Sequence, residues 1–310
     1  QKPEYLKVLT QNNIEGNPVS VPWPTLLTGM MFIQVFYWST NQVIVQRAMA
    51  AKSLAEGQKG VLFASAMKLI GPVMLCLPGI IALHMPDLTI DKQDRVYGAV
   101  VRHVLPDWSL GLFAAVLMGS ILSSFNSALN SASTLFSLQF YKGYINEGAS
   151  DEQVVGVGRN FGIILALAAI VIAPLLAQLD SIFQYLQKVN GIYSVPIIAI
   201  FLLGILTKHV PAFGAKIGMI VGFFSYAYFV FFPVENFHWL HTYFISFTWS
   251  IMVMLLIGYL YPKSNSEIAE SDKREKPPVD MTPWVYAKSV SYFIVGTTFG
   301  IYLVLTMISS

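Results

Sequence analysis

Long apolar stretches with few charges constrain the fold of this chain most strongly. Apolar residues make up 55% of its 310 residues and charged residues only 12%, whereas an ordinary soluble domain carries about 25% charged residues. A helix that crosses a bilayer needs about 20 mostly apolar residues, and eight such helices fit into the chain. The pattern predicts an all-α, multi-pass membrane protein. It excludes a soluble enzyme, a disordered chain and a nucleic-acid binder.

Hydropathy predicts eight membrane spans, and the third is too long for a single crossing. The end of that span, near 140–145, is expected to project into water or to tilt. The loop 262–283 is the most charged stretch of the sequence and is expected to be solvated. The predicted spans are about 24–46, 60–84, 108–140, 159–179, 182–206, 211–232, 238–261 and 284–308.

The distribution of Lys and Arg predicts the orientation of the spans. With the first segment placed outside, twelve basic residues fall on the inner side and five on the outer side. Because cytoplasmic loops carry the excess of Lys and Arg, residues 1–23 are expected to form an external loop and 262–283 a cytoplasmic one. The chain begins at Gln1 with a polar, proline-containing stretch that does not resemble a signal peptide, so we expect a fragment whose upstream part is missing.

The first predicted span carries a cluster of polar and aromatic side chains, from Gln34 to Gln42. A helix interrupted within the membrane exposes backbone groups that can bind a polar solute. Aromatic faces pack on sugar rings, and amides hydrogen-bond hydroxyls as both donors and acceptors. The cluster is equally compatible with a hydrogen-bonded patch between helices.

The third predicted span carries a row of hydroxyls. Ser120, Ser123 and Ser124 are spaced i, i+3 and i+4 and share one helix face, and hydroxyl oxygens suit a hard cation such as sodium. Three hydroxyls do not complete a sodium shell, so carbonyls from another helix would supply the rest. Small residues also recur at four-residue spacing through this span, which is typical of close helix packing, and both interpretations can hold together.

Lys68 lies within the second predicted span, where a charged side chain is costly. The sequence offers no acidic partner within a few turns, so the partner is a solute, a cavity water or another helix. The fifth predicted span begins with a polar stretch from Gln184 to Asn190, followed by Gly191 and Pro196. That stretch either lines the same cavity or forms the watery end of its helix.

At these residues the chain resembles the sodium:solute symporter family, and within it the sodium/glucose cotransporters. The resemblance is collinear over almost the whole chain and is therefore specific. A closer likeness is to uncharacterised bacterial members of the sugar-symporter branch. The segments that carry it are 36–47, 51–53, 130–136, 158–159 and 201–204.

The resemblance implies a fold of two inverted five-helix repeats with additional helices, a LeuT-like arrangement that works by alternating access. Residues 24–206 would form the second repeat and 207–310 three trailing helices. The first repeat would then lie upstream. With it would lie the sodium-coordinating carbonyls and an acidic sugar ligand.

The resemblance also implies roles for individual residues. The sugar-contacting Asn of the family falls at Gln34, which is one methylene longer and puts the exact sugar in doubt. The inner-gate tyrosine falls at Tyr37, the sugar-bonding lysine at Lys68 and a sugar-binding glutamine at Gln187. The sodium-binding hydroxyls fall at Ser123 and Ser124, and a variable third position falls at Ser120.

These implications predict a sodium-coupled symporter, not an enzyme, that moves a hexose such as galactose or glucose across the cell (inner) membrane. Sodium, a small polar solute and the lipid bilayer are the expected partners. Two alternatives stay open. One is a sodium symporter for a polyol, an amino acid or a nucleoside, and the other is a non-transporting membrane sensor on the same scaffold. The solute, the sodium stoichiometry and the oligomeric state do not follow from the sequence.

Overall fold

A computed structural model describes residues 21–82, 85, 95–176, 178–179, 181–232, 238–264 and 279–309, without the side chains of 305, 306, 308 and 309. Most of the predicted external loop 1–23 and most of the predicted cytoplasmic loop 262–283 lie outside these residues.

The described chain is built from helices. A π-helical segment, Leu26–Met30, leads into the first α-helix, and a second one, Phe136–Ile145, continues the seventh. The α-helices are α1 (Met31–Ser39), α2 (Gln42–Met49), α3 (Leu54–Lys68), α4 (Gly71–Leu75), α5 (Leu77–Ala82), α6 (Val96–Val104), α7 (Asp107–Leu135), α8 (Asp151–Leu176), α9 (Ile182–Leu206), α10 (Ala212–Phe231), α11 (His241–Leu260) and α12 (Ala287–Ser309).

Seven helical stretches among the described residues are long and apolar enough to cross a membrane. They correspond to the second through eighth predicted spans, which confirms an all-α membrane protein. The first predicted span does not form one long helix, because it is divided between α1 and α2. The seven stretches are Leu54–Ala82, Asp107–Ile145, Asp151–Leu176, Ile182–Leu206, Ala212–Phe231, His241–Leu260 and Ala287–Val304.

Two helices begin earlier than hydropathy predicts. Helix α3 begins at Leu54 and not near 60, because the Ser53 hydroxyl accepts a hydrogen bond from the Glu56 N–H at 3.3 Å and caps the helix. Helix α8 begins at Asp151 and not near 159, with Asp151 and Glu152 in its first turn. Acidic residues stabilise a helix N-terminus, but hydropathy does not detect such polar turns.

The predicted third span is a helix that changes type. Helix α7 passes into the π-helical segment Phe136–Ile145, which the sequence pattern did not predict. Within that segment, the Phe136 ring stacks on the Phe161 ring of α8 with 3.9 Å between centroids and 5° between planes. The change from α- to π-helix therefore begins at the residue whose ring stacks on α8.

Contacts divide the chain into two compact units. The first contains Gln1–Gly71 and Phe183–Ser310, and the second contains Pro72–Ile182. In the first unit, α10 and α11 pack as a pair, and a buried apolar cluster joins α1, α9, α10 and α11. The buried members of that cluster are Phe32, Ile33, Val195, Tyr226, Leu240 and Tyr243.

In the first unit, the segment before α12 is attached to α3. The Leu54 N–H donates to the Asp280 carbonyl at 2.9 Å, and the Trp284 N–H donates to Gln58 Oε1 at 2.7 Å. The Lys59 ammonium lies 5.9 Å from the centre of the Trp284 ring. These contacts set the start of α12, which packs along α3.

Candidate functional site

A pocket of about 890 Å³ in the first unit brings together side chains from four helices. Its lining includes Gln34 and Tyr37 from α1, Lys68 from the end of α3 and Gln187 from α9. These are the four residues predicted to bind solute, and they come from three segments that are far apart in the sequence.

The break after α1 shapes one side of the pocket. Helix α1 ends at Ser39, and both the Thr40 N–H and the Asn41 N–H donate to the Phe36 carbonyl, at 2.9 and 3.1 Å. Asn41 is extended, and its Oδ1 accepts a hydrogen bond from the Val43 N–H at 2.9 Å, which caps α2. The sequence predicted an interruption here, and the structure contains one.

The polar side chains at the break have local backbone partners. The Ser39 hydroxyl donates to the Val35 carbonyl, and the Thr40 hydroxyl donates to the Phe36 carbonyl at 3.0 Å. The cluster therefore separates into two parts. Residues 39–41 stabilise the break, whereas Gln34, Tyr37 and Trp38 line the pocket, and Asn41 does both.

Trp38 connects the tyrosine and the lysine of the pocket. Its ring lies edge-on to the Tyr37 ring, with centroids 5.7 Å apart and planes at 84°. The Lys68 Nζ lies 6.0 Å from the centre of the same ring. A cation at that distance is attracted to the negative face of an indole, so Trp38 restricts where the ammonium can lie.

Lys68 is the last residue of α3, and the apolar stretch Leu54–Ala82 is interrupted directly after it. The stretch continues as α4 and α5, which are only five and six residues long. A single uninterrupted span was predicted here. Pro72 and Pro78 both lack an N–H and disfavour a continuous helix, and this is the signal that could have revealed the interruption.

Helix α9 contributes a polar face to the pocket. Gln187 and Asn190 line it together with Tyr193, whose hydroxyl donates to the Asn190 Oδ1 at 2.7 Å. The Tyr193 ring meets the Phe36 ring of α1 edge-on, with 5.8 Å between centroids. Of this polar stretch, Gln187 and Asn190 thus lie at the pocket, whereas Gln184 and Lys188 do not line it.

Two amides in the pocket are available to a ligand. Within the part of the chain that the structure describes, neither the Gln34 nor the Gln187 side chain makes a hydrogen bond. Among the described lining residues, Lys68 carries the only formal charge. The pocket can thus offer amide donors and acceptors and one ammonium to a polar solute.

The sequence interpretation missed the contribution of the last helix. Thr298 and Tyr302 of α12 line the same pocket as Lys68. They lie four residues apart on a helix that contacts α3, and this spacing on an apolar helix was the available signal. Tyr193 was likewise not singled out, whereas Trp38 was included as a member of the cluster from Gln34 to Gln42.

The three residues predicted to bind sodium lie on α7, in the second unit. Ser120, Ser123 and Ser124 are all exposed, on one helix face. The Ser123 carbonyl accepts a hydrogen bond from the Ser127 hydroxyl at 2.8 Å. The hydroxyls of these three serines are therefore accessible to an ion, which would need further ligands from other segments.

The small residues of α7 pack against α8 at a different place from these serines. A Cβ on Gly162 would lie 2.9 Å from the Ser133 hydroxyl, and one on Gly158 would lie 3.2 Å from the Ser137 hydroxyl. In the described unit, close packing therefore uses Ser133, near the C-terminal end of α7, and Ser137 of the π-helical segment. The stretch from Gly119 to Ser124 is exposed, so this contact does not account for its hydroxyls.

Comparison with known proteins identifies the family. The model of the sodium:solute symporter family matches residues 5–222. An uncharacterised symporter, YidK, of Escherichia coli is 38% identical over 94% of this chain and 50% of its own length. The sodium/glucose cotransporter of Vibrio parahaemolyticus is 36% identical over 66% of this chain and 41% of its own length.

A mammalian relative has a different named solute. The sodium/myo-inositol cotransporter 2 of Rattus norvegicus is 32% identical over 65% of this chain and 32% of its own length. The chain thus spans from about a third to a half of the curated relatives it matches. The matches and the seven apolar helices make it a multi-pass integral membrane protein, and its expected placement in the cell membrane is consistent with them. The chain belongs to the sodium:solute symporter family.

Proposed function

We propose that the complete protein is a sodium-coupled symporter for a polyhydroxylated solute, with a hexose such as galactose or glucose as the first candidate. One observation carries this proposal. Gln34, Tyr37, Lys68 and Gln187 come from three separate helices, and all four line one pocket. Membership of a transporter family supports transport and not catalysis.

The chemistry of the pocket suits a solute with several hydroxyls. Each hydroxyl is both a donor and an acceptor, and each glutamine amide offers both functions. The Lys68 ammonium adds donors, and a charge-assisted hydrogen bond is stronger than a neutral one. The Tyr37 ring is about 39% exposed and offers a face on which a sugar ring can pack.

Sodium would bind at Ser123 and Ser124, with Ser120 as a third hydroxyl ligand. Hydroxyl oxygens match the preference of a hard cation, and the exposure of these serines leaves them accessible. Carbonyl ligands from elsewhere in the complete protein would complete the shell. Coupling follows if sodium and the solute stabilise the same conformational state. Tyr37 would then act as the inner gate that moves when both are bound.

A polyol is the second candidate solute. Gln34 departs from the asparagine of the sugar-transporting branch by one methylene, and a relative at 32% identity is named for myo-inositol. Amino acids are less suited to the described part of the pocket. Lys68 could pair with an amino-acid carboxylate, but the described lining offers no acidic side chain for the ammonium group.

A competition experiment distinguishes these solutes. Uptake of radiolabelled galactose by proteoliposomes that contain the complete protein would be measured in sodium, with an excess of unlabelled glucose, myo-inositol, alanine or uridine. The proposal predicts that glucose or myo-inositol competes and that alanine and uridine do not. If galactose is not taken up, the same panel is tested as labelled substrates. Uptake of only alanine or uridine would contradict a hexose or polyol solute.

A further inference from the structure

Two buried tyrosines reach the turn of α9 that carries Gln187. The Tyr243 hydroxyl, from α11, donates to the backbone carbonyl of Gln187 at 2.7 Å. The Tyr226 hydroxyl, from α10, donates to the backbone carbonyl of Lys188 at 2.9 Å. Both side chains are fully buried. Two helices outside the predicted repeat thus bind consecutive carbonyls of a helix that lines the pocket.

These hydrogen bonds are additional to those of the helix itself. Helix α9 runs from Ile182 to Leu206 and contains Pro196, but the carbonyls of residues 187 and 188 lie before the turn that the proline affects and already face the N–H groups of Gly191 and Ile192. A carbonyl oxygen has two lone pairs and can accept a second hydrogen bond. The tyrosines therefore do not repair a broken helix, and their hydroxyls fix its position relative to α10 and α11.

Gly191 permits this approach. A Cβ at Gly191 would collide with the Tyr243 ring and would lie 2.7 Å from the Tyr226 hydroxyl. The two rings lie beside each other, with centroids 5.5 Å apart. Trp239 meets the Tyr243 ring edge-on at 5.7 Å, and the Lys188 ammonium lies 6.0 Å from the centre of the Trp239 ring. The turn is thus surrounded by aromatic side chains on the side that faces α10 and α11.

The Gln187 side chain lines the pocket, while its own carbonyl accepts the hydrogen bond from Tyr243. The side chain makes no hydrogen bond of its own within the described residues. Its position in the pocket is therefore set by the backbone of the turn.

We infer that Tyr226 and Tyr243 are positioning residues that hold the Gln187 amide in the solute pocket. The inference rests on the proposed function, because it takes Gln187 as a solute ligand. It assigns α10 and α11 a part in solute affinity although Tyr226 and Tyr243 do not line the pocket.

Phenylalanine substitutions test the inference, since they keep each ring beside Gly191 and remove only the hydroxyl. We expect Tyr226→Phe and Tyr243→Phe each to raise the solute concentration for half-maximal uptake about three- to tenfold at saturating sodium, as expected for one lost hydrogen bond. Tyr228→Phe and Tyr259→Phe are the matched controls. They lie on the same two helices and are 59% and 85% exposed, and they should leave this concentration unchanged.

A comparison in the Gln187→Ala background separates positioning from general structural support. If the tyrosines act through Gln187, their substitution should have little further effect once that amide is gone. Equal effects in both backgrounds would overturn the inference, as would wild-type solute affinity in both tyrosine variants. If Gln187→Ala itself leaves uptake unaltered, the proposed solute site fails and the inference fails with it. If Gln187→Ala weakens solute affinity but neither tyrosine variant does, the inference fails while the proposed solute site stands. If one tyrosine variant fails to fold, the solute affinity of the other variant still tests the inference.

Discussion

The Lys68 ammonium lies 6.0 Å from the centre of the Trp38 ring. The lysine ends α3 and the tryptophan lies one residue before the end of α1. Both helices therefore end beside the same pocket. The Lys68 ammonium thus lies where two apolar segments are interrupted. Polar groups in the pocket, or a bound solute, would solvate it.

Loss of the lysine should weaken solute binding. We expect Lys68→Ala in the complete transporter to raise the half-saturating solute concentration about tenfold, because an ammonium–hydroxyl hydrogen bond is charge-assisted. The sodium dependence should stay close to wild type. Initial rates of uptake over a range of solute concentrations check this. Lys52→Ala is the control, since Lys52 is an exposed lysine that does not line the pocket. Unchanged solute affinity in Lys68→Ala would remove the lysine from the site.

Trp38 should act through Lys68. Trp38→Leu removes the aromatic face, and a partly exposed cation–π contact contributes about 0.5–1 kcal/mol, so solute affinity should fall about two- to fivefold. In a Lys68→Ala background the same substitution should have a smaller effect, because the two side chains are in contact. Purely additive effects of the two substitutions would show that the ring acts independently of the ammonium.

Loss of the serine hydroxyls should alter the sodium response and not the solute response. We expect Ser123→Ala and Ser124→Ala each to raise the sodium concentration for half-maximal uptake several-fold, with solute affinity at saturating sodium little changed. Thr134→Val is a control on the same helix, because its hydroxyl already donates to the Asn130 carbonyl at 2.8 Å. A wild-type sodium dependence in both serine variants would indicate that these hydroxyls serve only in packing.

Two glycines of α9 should differ in their tolerance of a methyl group. Gly191→Ala should destabilise the purified transporter by roughly 1–3 kcal/mol, because the new methyl would overlap the Tyr243 ring in a close-packed region. Gly204→Ala lies on the same helix with no atom within 4 Å of the added Cβ, so it should be close to neutral. The two variants would be compared by thermal unfolding in one detergent. Equal midpoints would contradict the close approach of the tyrosines.

The sequence predicted those parts of the fold that follow from hydropathy and helix breaking. Helix α9 has the predicted bounds, 182–206, although it begins with the polar stretch from Gln184 to Asn190. The interruption near Thr40 was predicted from the density of polar side chains there. The early starts of α3 and α8 were missed, since polar turns carry no hydropathy signal. The interruption after Lys68 was also missed, although Pro72 marks it.

The site was predictable from the sequence only in part. The resemblance indicated Gln34, Tyr37, Lys68 and Gln187, and the structure places all four in one pocket. The four-residue spacing of Thr298 and Tyr302 marks a shared face of α12, but it does not show that α12 packs along α3. The hydrogen bonds from Tyr226 and Tyr243 join residues that are 38 and 56 positions apart, so they became visible only in three dimensions.

Sodium-driven accumulation tests the central claim most directly. Proteoliposomes that contain the complete protein would be given labelled galactose or glucose with an inward sodium gradient, with an equal potassium gradient, and with a sodium ionophore. Sodium coupling predicts accumulation of a sugar above its external concentration only in the first condition, and its loss when the ionophore dissipates the gradient. Equal uptake under the sodium and potassium gradients would contradict sodium-coupled symport.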